Sequence, residues 1–281
     1  MVHLPCADRL LDLLRPEVMG ILTVTPESFS DGGRYESRDA ALEQARQMLA
    51  EGADIIDVGV ESTRPGAAPV SADEEMARGI PVIEAVASGR AVIVSVDTSK
   101  PEVMREAVRA GAVMINDVNA LRAPGALAVA AESTAAVCLM HMQGKPRTMQ
   151  QDPVYDDVVG DIGSFLAGRV KAAVDAGISR DRLVIDPGFG FGKTLAHNLE
   201  ILARLDHFAA TGLPVMAGLS RKSMIGALLG DRPAGERLHG SVAAAVIAAI
   251  KGARILRVHD VAATADALKV AVAVMNEEER L

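Results

Sequence analysis

Tryptophan is absent from the 281 residues, tyrosine occurs twice and phenylalanine five times. A core without aromatic bulk must be filled by Ala, Val, Leu, Ile and Met, as is ordinary for layered α/β proteins. Cysteine is almost missing as well. Cys6 and Cys138 stand far apart with no CxxC and no metal-ligand spacing, which excludes a disulfide framework or a cysteine zinc site and fits a reducing, cytoplasmic location. Positive charge is in deficit: 29 Lys and Arg against 37 Asp and Glu give a formal charge of −8. That argues against a nucleic-acid partner or an anionic membrane surface, both of which need clustered basic residues. Long apolar runs are lacking too. The richest, SVAAAVIAAIKGA from Ser241, is too short and Ala-heavy to span a bilayer and reads as a buried helix. The opening MVHLPCADRLLDLLRPEV carries acidic residues and proline without a long apolar core, so no signal peptide is expected.

Eight short β-rich runs recur along the chain: VMGILTVT, DIIDVGV, AVIVSVDT, VMINDV, AAVCLMH, RLVIDPG, PVMAGLS and RILRVHD. Most are continuously apolar, as expected of parallel strands covered on both faces. Segments with helical spacing lie between them, such as DAALEQARQMLAEG and NLEILARLDHFAATG, each closed by a glycine. Eight strand–helix units predict a closed α/β fold, a (β/α)8 TIM barrel, rather than an open doubly wound sheet of five or six strands. No linker divides the chain. Residues 1–17 read as an N-terminal lead-in segment or small cap and 18–281 as the barrel.

Chemistry in such barrels sits at the C-terminal strand ends. Those ends carry Thr23 with Thr25; Asp57 with Glu61, Ser62, Thr63 and Arg64; Asp97 with Thr98; Asn116 with Asp117; His141; Asp186; Ser220 with Arg221 and Lys222; and Arg257 with His259 and Asp260. Thr98, Ser99 and Ser223 are also candidate helix caps. Taken together, Asp97, Asn116, Asp186 and Lys222 suit a flat heterocycle, because a carboxylate accepts paired N–H bonds from an amidine-like edge while lysine donates to a ring oxygen or nitrogen. Arg257 and His259 lie two apart on a strand and share a face, fit to hold a phosphate or pyrophosphate. The basic SRKS segment precedes a helix starting near Ser223, a second place for an anion. PGFGFGKT resembles a phosphate-binding P-loop, but Pro187 stands where GxxxxGK[ST] requires glycine. Its glycines instead predict a loop that lays Phe189 or Phe191 over a ligand. The ESTRPGAAPVSADEE stretch predicts a long loop able to close over a substrate.

Read in order, MGILTVTPESFSDGG, DVGVESTRPGA, VSVDTSK, MINDV, MHMQGKPRTMQ, DPGFGFGK, LSRKSMIG and RVHDV resemble dihydropteroate synthase over almost the whole chain. The resemblance implies a pterin-binding TIM barrel, a homodimer, that joins 6-hydroxymethyl-7,8-dihydropterin pyrophosphate to p-aminobenzoate, with pyrophosphate and 7,8-dihydropteroate as products. It implies a pterin pocket of Asp97, Asn116, Met140, Asp186, Gly218, Lys222 and Arg257, and a p-aminobenzoate site of Phe29, Thr63, Arg64, Pro65, Phe191, Lys222 and Ser223. Sulfonamides would compete at the second. Asp97, Lys222, Arg257 and His259 would carry the catalysis, a dissociative substitution assisted by Mg²⁺. Two departures bear on this. Thr23 stands where the family has an asparagine that contacts metal and pyrophosphate, and Val60 replaces the second glycine of DVGGESTRPG; Glu27 for Asp is milder. Threonine offers a hydroxyl oxygen but has a shorter reach than asparagine and no carbonyl. The alternative these departures motivate is a pterin-binding paralogue with weak or no synthase activity.

Overall fold

The computed structural model describes residues 3–24, 34–61, 70–89, 92–144 and 148–278. The chain opens with an antiparallel hairpin, β1 (His3–Cys6) and β2 (Arg9–Asp12). Then come β3 (Glu17–Thr23), α1 (Arg34–Ala50), β4 (Ile55–Gly59), α2 (Ala72–Ala87), β5 (Ile93–Asp97), α3 (Pro101–Arg109), β6 (Met114–Asp117), α4 (Ala126–Glu132) and β7 (Ala136–Met140). The second half runs α5 (Val158–Asp175), β8 (Leu183–Asp186), α6 (Leu195–Ala203), α7 (Asp206–Ala209), β9 (Val215–Ala217), α8 (Ser223–Leu228), α9 (Leu238–Ile250), β10 (Ala253–Val258) and α10 (Val261–Glu278). Strands β3 to β10 are the eight apolar runs, and they pair in parallel around a closed barrel in the order β10-β3-β4-β5-β6-β7-β8-β9. The expected (β/α)8 architecture is therefore present.

Successive residues of a strand face opposite sides, so an apolar run serves two cores at once. Met19, Ile55, Ile93, Met114, Cys138, Val184, Met216 and Ile255 fill the barrel interior, while Val18, Leu22, Ile56, Val58, Val94 and Val96 pack outward under the helices. The N-terminal hairpin extends the inner core. Its Leu4, Cys6, Leu11 and Leu13 join the interior cluster, and the Ala7 N–H reaches the Thr134 carbonyl at 3.0 Å just ahead of β7. The hairpin thus stoppers the end of the barrel opposite the strand C-termini. Both cysteines are buried free thiols in this interior, and burial pushes Cys6 up to about 12.

Several local expectations are corrected. NLEILARLDHFAATG is not one helix but two, α6 and α7, with Arg204 and Leu205 between them. The Ala-rich α9 is buried only along Ser241, Ala244, Ala245, Ala248 and Ala249, leaving Ile247 and Ile250 exposed. Thr98, Ser99 and Ser223 cap no helix. Pro101 occupies the first turn of α3, which moves the cap position on to Lys100, so Thr98 accepts the Lys100 N–H at 3.2 Å and Ser99 donates to Asp117 at 2.6 Å. Ser223 already lies inside α8, whose cap position is Lys222.

Candidate active site

Parallel register places Thr23, Gly59, Asp97 and Asn116 side by side across four neighbouring strands. Thr23 shares the inward face of Met19 and is half-buried at the mouth. Asp57 lies one inward step lower, paired with Ser95 and fully buried. Arg257 starts lower still, level with Met19. Its long side chain climbs past both layers, donating from Nε to Asp57 Oδ2 and from Nη2 to Asp97 Oδ2, each at 2.6 Å. Asn116 Nδ2 donates to the same Asp57 oxygen at 3.1 Å. Burial drives the Asp97 carboxyl up, to about 7, against the pull of the Arg257 guanidinium. For Arg257 burial disfavours the charge, but Asp57 and Asp97 outweigh it and the net shift is upward.

The opposite wall is made by β8 and β9. Asp186 ends β8 beside Met140, and its Oδ1 accepts the Gly188 N–H at 2.7 Å. Burial raises its pKa, and Lys222 opposes the rise. Lys222 is pushed down to about 8 by its own burial, partly offset by Asp186. Its Nζ donates to the Phe189 carbonyl and stands 4.6 Å over the Phe191 ring. A Cβ on Gly218 would lie 3.8 Å from both Lys222 Nζ and Arg257 Cβ, so the missing side chain keeps open the space between those cations.

The glycine loop resolves the choice between two phenylalanines. Gly188, Gly190 and Gly192 have φ of +71°, +78° and +65°, and a Cβ on Gly188 would sit 1.9 Å from the His141 carbonyl oxygen. Only glycine fits there. The alternation sends Phe189 into the outer core and Phe191 into the mouth with Met140, Met142 and Met149. Phe191, not Phe189, is therefore the ring at the mouth.

The basic cluster divides as well. His259 is anchored to Ser220, whose Oγ accepts the His259 backbone N–H at 3.2 Å and contacts Nδ1 at 3.1 Å. Arg221 turns away from the mouth, binding Asp260 through Nε at 3.0 Å and Nη2 at 2.5 Å. Lys222 is thus the inward-facing base of SRKS. Val60 also points away: it is buried in the outer core, with Cγ2 only 2.9 Å from where a Cβ on Gly79 of α2 would stand. The bulk at position 60 is taken up by a glycine on the covering helix. Thr25, Phe29, Ser62, Thr63, Arg64 and Pro65 lie outside the described residues.

Among the described residues no group of three or more His, Cys, Asp or Glu could hold a metal ion. A preformed cage is not what Mg²⁺ needs beside a phosphate, since it keeps several waters and accepts one or two hard protein oxygens. The Thr23 hydroxyl is such an oxygen, and the donor set fits on those terms. Two residues that matter geometrically were not placed in the pocket by sequence reasoning. Asp57 was read as one of the polar strand ends, whereas it lies within β4, a layer below the rim. Lys193 carried only the signal of its failed P-loop motif, yet it is almost wholly buried against His141 beneath the mouth.

Carboxylate, lysine and amide thus converge on one cleft, with an arginine bridging two further acids. Residues 19–259 match the pterin binding enzyme family. The dihydropteroate synthase of Escherichia coli K12 is 55% identical over 269 residues, 96% of this chain and 95% of its own length. Among solved structures, Xanthomonas albilineans dihydropteroate synthase with 4-aminobenzoic acid is 54% identical, covers 98% of both chains and superposes with a TM-score of 0.92. The Yersinia pestis enzyme in complex with a sulfonamide drug is 52% identical, covers 98% of this chain and 99% of its own, with a TM-score of 0.93.

Proposed function

The chain belongs to the pterin-binding enzyme family, among its dihydropteroate synthases, and on that premise we propose how its barrel mouth performs the family's condensation. The enzyme is a transferase joining 6-hydroxymethyl-7,8-dihydropterin pyrophosphate to p-aminobenzoate. The observation that carries the assignment of roles is that buried Asp186 and half-buried Lys222 face the same cleft, which Gly218 leaves open, and interact electrostatically across it. The Asp186 carboxylate accepts the 2-amino and N3 protons of the pterin, and Lys222 donates to its O4 side. Asn116 and Met140 complete the pocket.

Arg257 and His259 receive the pyrophosphate. In the present geometry Arg257 is held by Asp57 and Asp97, so an arriving pyrophosphate competes for a guanidinium already aimed into the cleft. As the C–O bond breaks, its electron pair leaves on pyrophosphate and positive charge grows on the pterin methylene. Asp97 faces that charge, and fixed opposite charge at such a place contributes several kcal/mol to lowering a barrier. The arylamine lone pair then forms the C–N bond and the nitrogen releases one proton. We place the aminobenzoate against Phe191, Lys222 and Ser223, with Phe29, Thr63, Arg64 and Pro65 contributing from their loops. Sulfonamides would bind there; the Yersinia relative is itself a complex with a sulfonamide drug.

Mg²⁺ would be held by Thr23 together with the pyrophosphate and would neutralise charge on the leaving group. The weak-paralogue reading rested on Thr23 and Val60. Val60 packs outward, so of the two only Thr23 concerns the mouth. Homodimer formation is supported by the exposed Ile247 and Ile250 of α9 and Val270 and Val274 of α10. Among the described residues no helix is long and apolar enough to cross a membrane; the proposed cytoplasmic location rests on the two free thiols. Calorimetry with the dihydropterin substrate tests the pocket: Asp186→Asn and Lys222→Ala should each weaken binding by about tenfold or more. Native-like affinity in both variants would refute the assignment.

A further inference from the structure

Lys193 is a buried cation that the mechanism above does not use. Only 3% of it is exposed, and its three donor hydrogens meet three acceptors: His141 Nδ1 at 2.9 Å, the Phe191 carbonyl at 2.9 Å and the His141 carbonyl at 3.5 Å. All three partners are uncharged. Burial pushes the Lys193 pKa well down, and burial together with the Lys193 charge holds His141 neutral, down to about 3. A neutral imidazole accepting at Nδ1 carries its proton on Nε2. Asp186 favours its charge electrostatically, but burial outweighs that, and a buried lysine hydrogen-bonded only to uncharged groups costs stability that an apolar side chain would not, so its value lies in what it fixes.

What it fixes is the loop bearing Phe191. Each residue from 189 to 192 has its own tie. The Phe189 carbonyl accepts from Lys222, the Gly190 N–H donates to Asn198 Oδ1 at 2.7 Å, the Phe191 carbonyl accepts from Lys193, and the Gly192 carbonyl accepts from the Tyr155 hydroxyl at 2.8 Å. Among these four ties, Lys193 is the one that joins the loop to the residue directly following β7. The ring it thereby sets lies on Met140, Met142 and Met149, beneath Lys222.

We propose that Lys193 is a positioning residue of the p-aminobenzoate site, locking the Phe191 loop to the end of β7 through His141. The proposal rests on the reading of Phe191 given under Proposed function. It expects a split between the two substrates, because Asp186, which reads the pterin, has its own anchor at Gly188.

The test is steady-state kinetics of Lys193→Met, His141→Leu and His141→Asn, each checked for its unfolding midpoint. Lys193→Met and His141→Leu should raise KM for p-aminobenzoate about tenfold, with KM for the dihydropterin substrate changed less than about twofold. His141→Asn, which keeps an acceptor near the Nδ1 position, should restore most of the affinity. If Lys193→Met does not fold, the contrast between Leu and Asn at position 141 decides by the same split. Unchanged KM values, equal rises in both, or a fall in kcat alone would overturn the proposal. No turnover by the unsubstituted chain would overturn the functional reading, and the proposal with it.

Discussion

In the proposed roles, Asp97 and Lys222 would set the pH range in which the mouth works. Burial lifts Asp97 to about 7 and lowers Lys222 to about 8. The Asp97 carboxylate is lost as pH falls through its raised pKa, and the Lys222 ammonium is lost as pH rises through its lowered one. The profile of kcat/KM, which reports the free enzyme, should therefore be a narrow bell between those values. Lys222→Arg should extend its alkaline limb, because a guanidinium stays charged. Asp97→Asn should reduce kcat by about 10²-fold, measured by pyrophosphate release at saturating substrates. Asp186, Lys222 and Arg257 were legible in the sequence because charged residues within or just after an apolar run, as at Arg257 inside β10, Asp186 at the end of β8 and Lys222 beyond β9, have few structural excuses. Lys193 was not, since nothing in GFGFGKT tells whether its lysine faces solvent or lies beneath the loop.

The second departure, Val60, directly follows strand β4 and packs against helix α2. Val60 Cγ2 occupies space that a side chain at Gly79 would need. Overpacking of this kind costs about 1–3 kcal/mol, whereas replacing glycine inside a helix gains about 1 kcal/mol of propensity. Gly79→Ala should thus destabilise the native chain but stabilise the Val60→Gly variant, a sign reversal readable in denaturant midpoints; the same sign in both backgrounds would show that the two residues do not share this space. The eight strands were legible because a run apolar on both faces leaves little choice but a covered parallel strand. The direction of Val60 was not, because it depends on the strand's phase relative to the barrel axis. The β1–β2 hairpin was legible only as a lead-in or small cap, for its pairing serves an inner core built from residues far along the chain. The break between α6 and α7 also escaped, as Arg204 and Leu205 are ordinary helix formers.

At the scale of the whole molecule, a chain without tryptophan has closed a barrel on aliphatic side chains and left apolar residues on α9 and α10 at the surface. If that face joins two copies, the native mass should be twice 29.4 kDa, and Ile250→Glu combined with Val270→Glu should yield monomer in sedimentation. A native chain that sediments as monomer would remove the dimer. The barrel itself was legible from the count and order of its strands. The ion network that closes its mouth was not, because Asp57, Asp97 and Arg257 are brought together only by the stagger of strands around the closure. The central claim is that this mouth, with Thr23 in place, is a working synthase. The most direct test is pyrophosphate release from dihydropterin pyrophosphate and p-aminobenzoate, with Mg²⁺ and with EDTA, for the native chain beside Thr23→Asn. Release by the native chain that requires both substrates and Mg²⁺ is the predicted result; release by the Asn variant alone would contradict it.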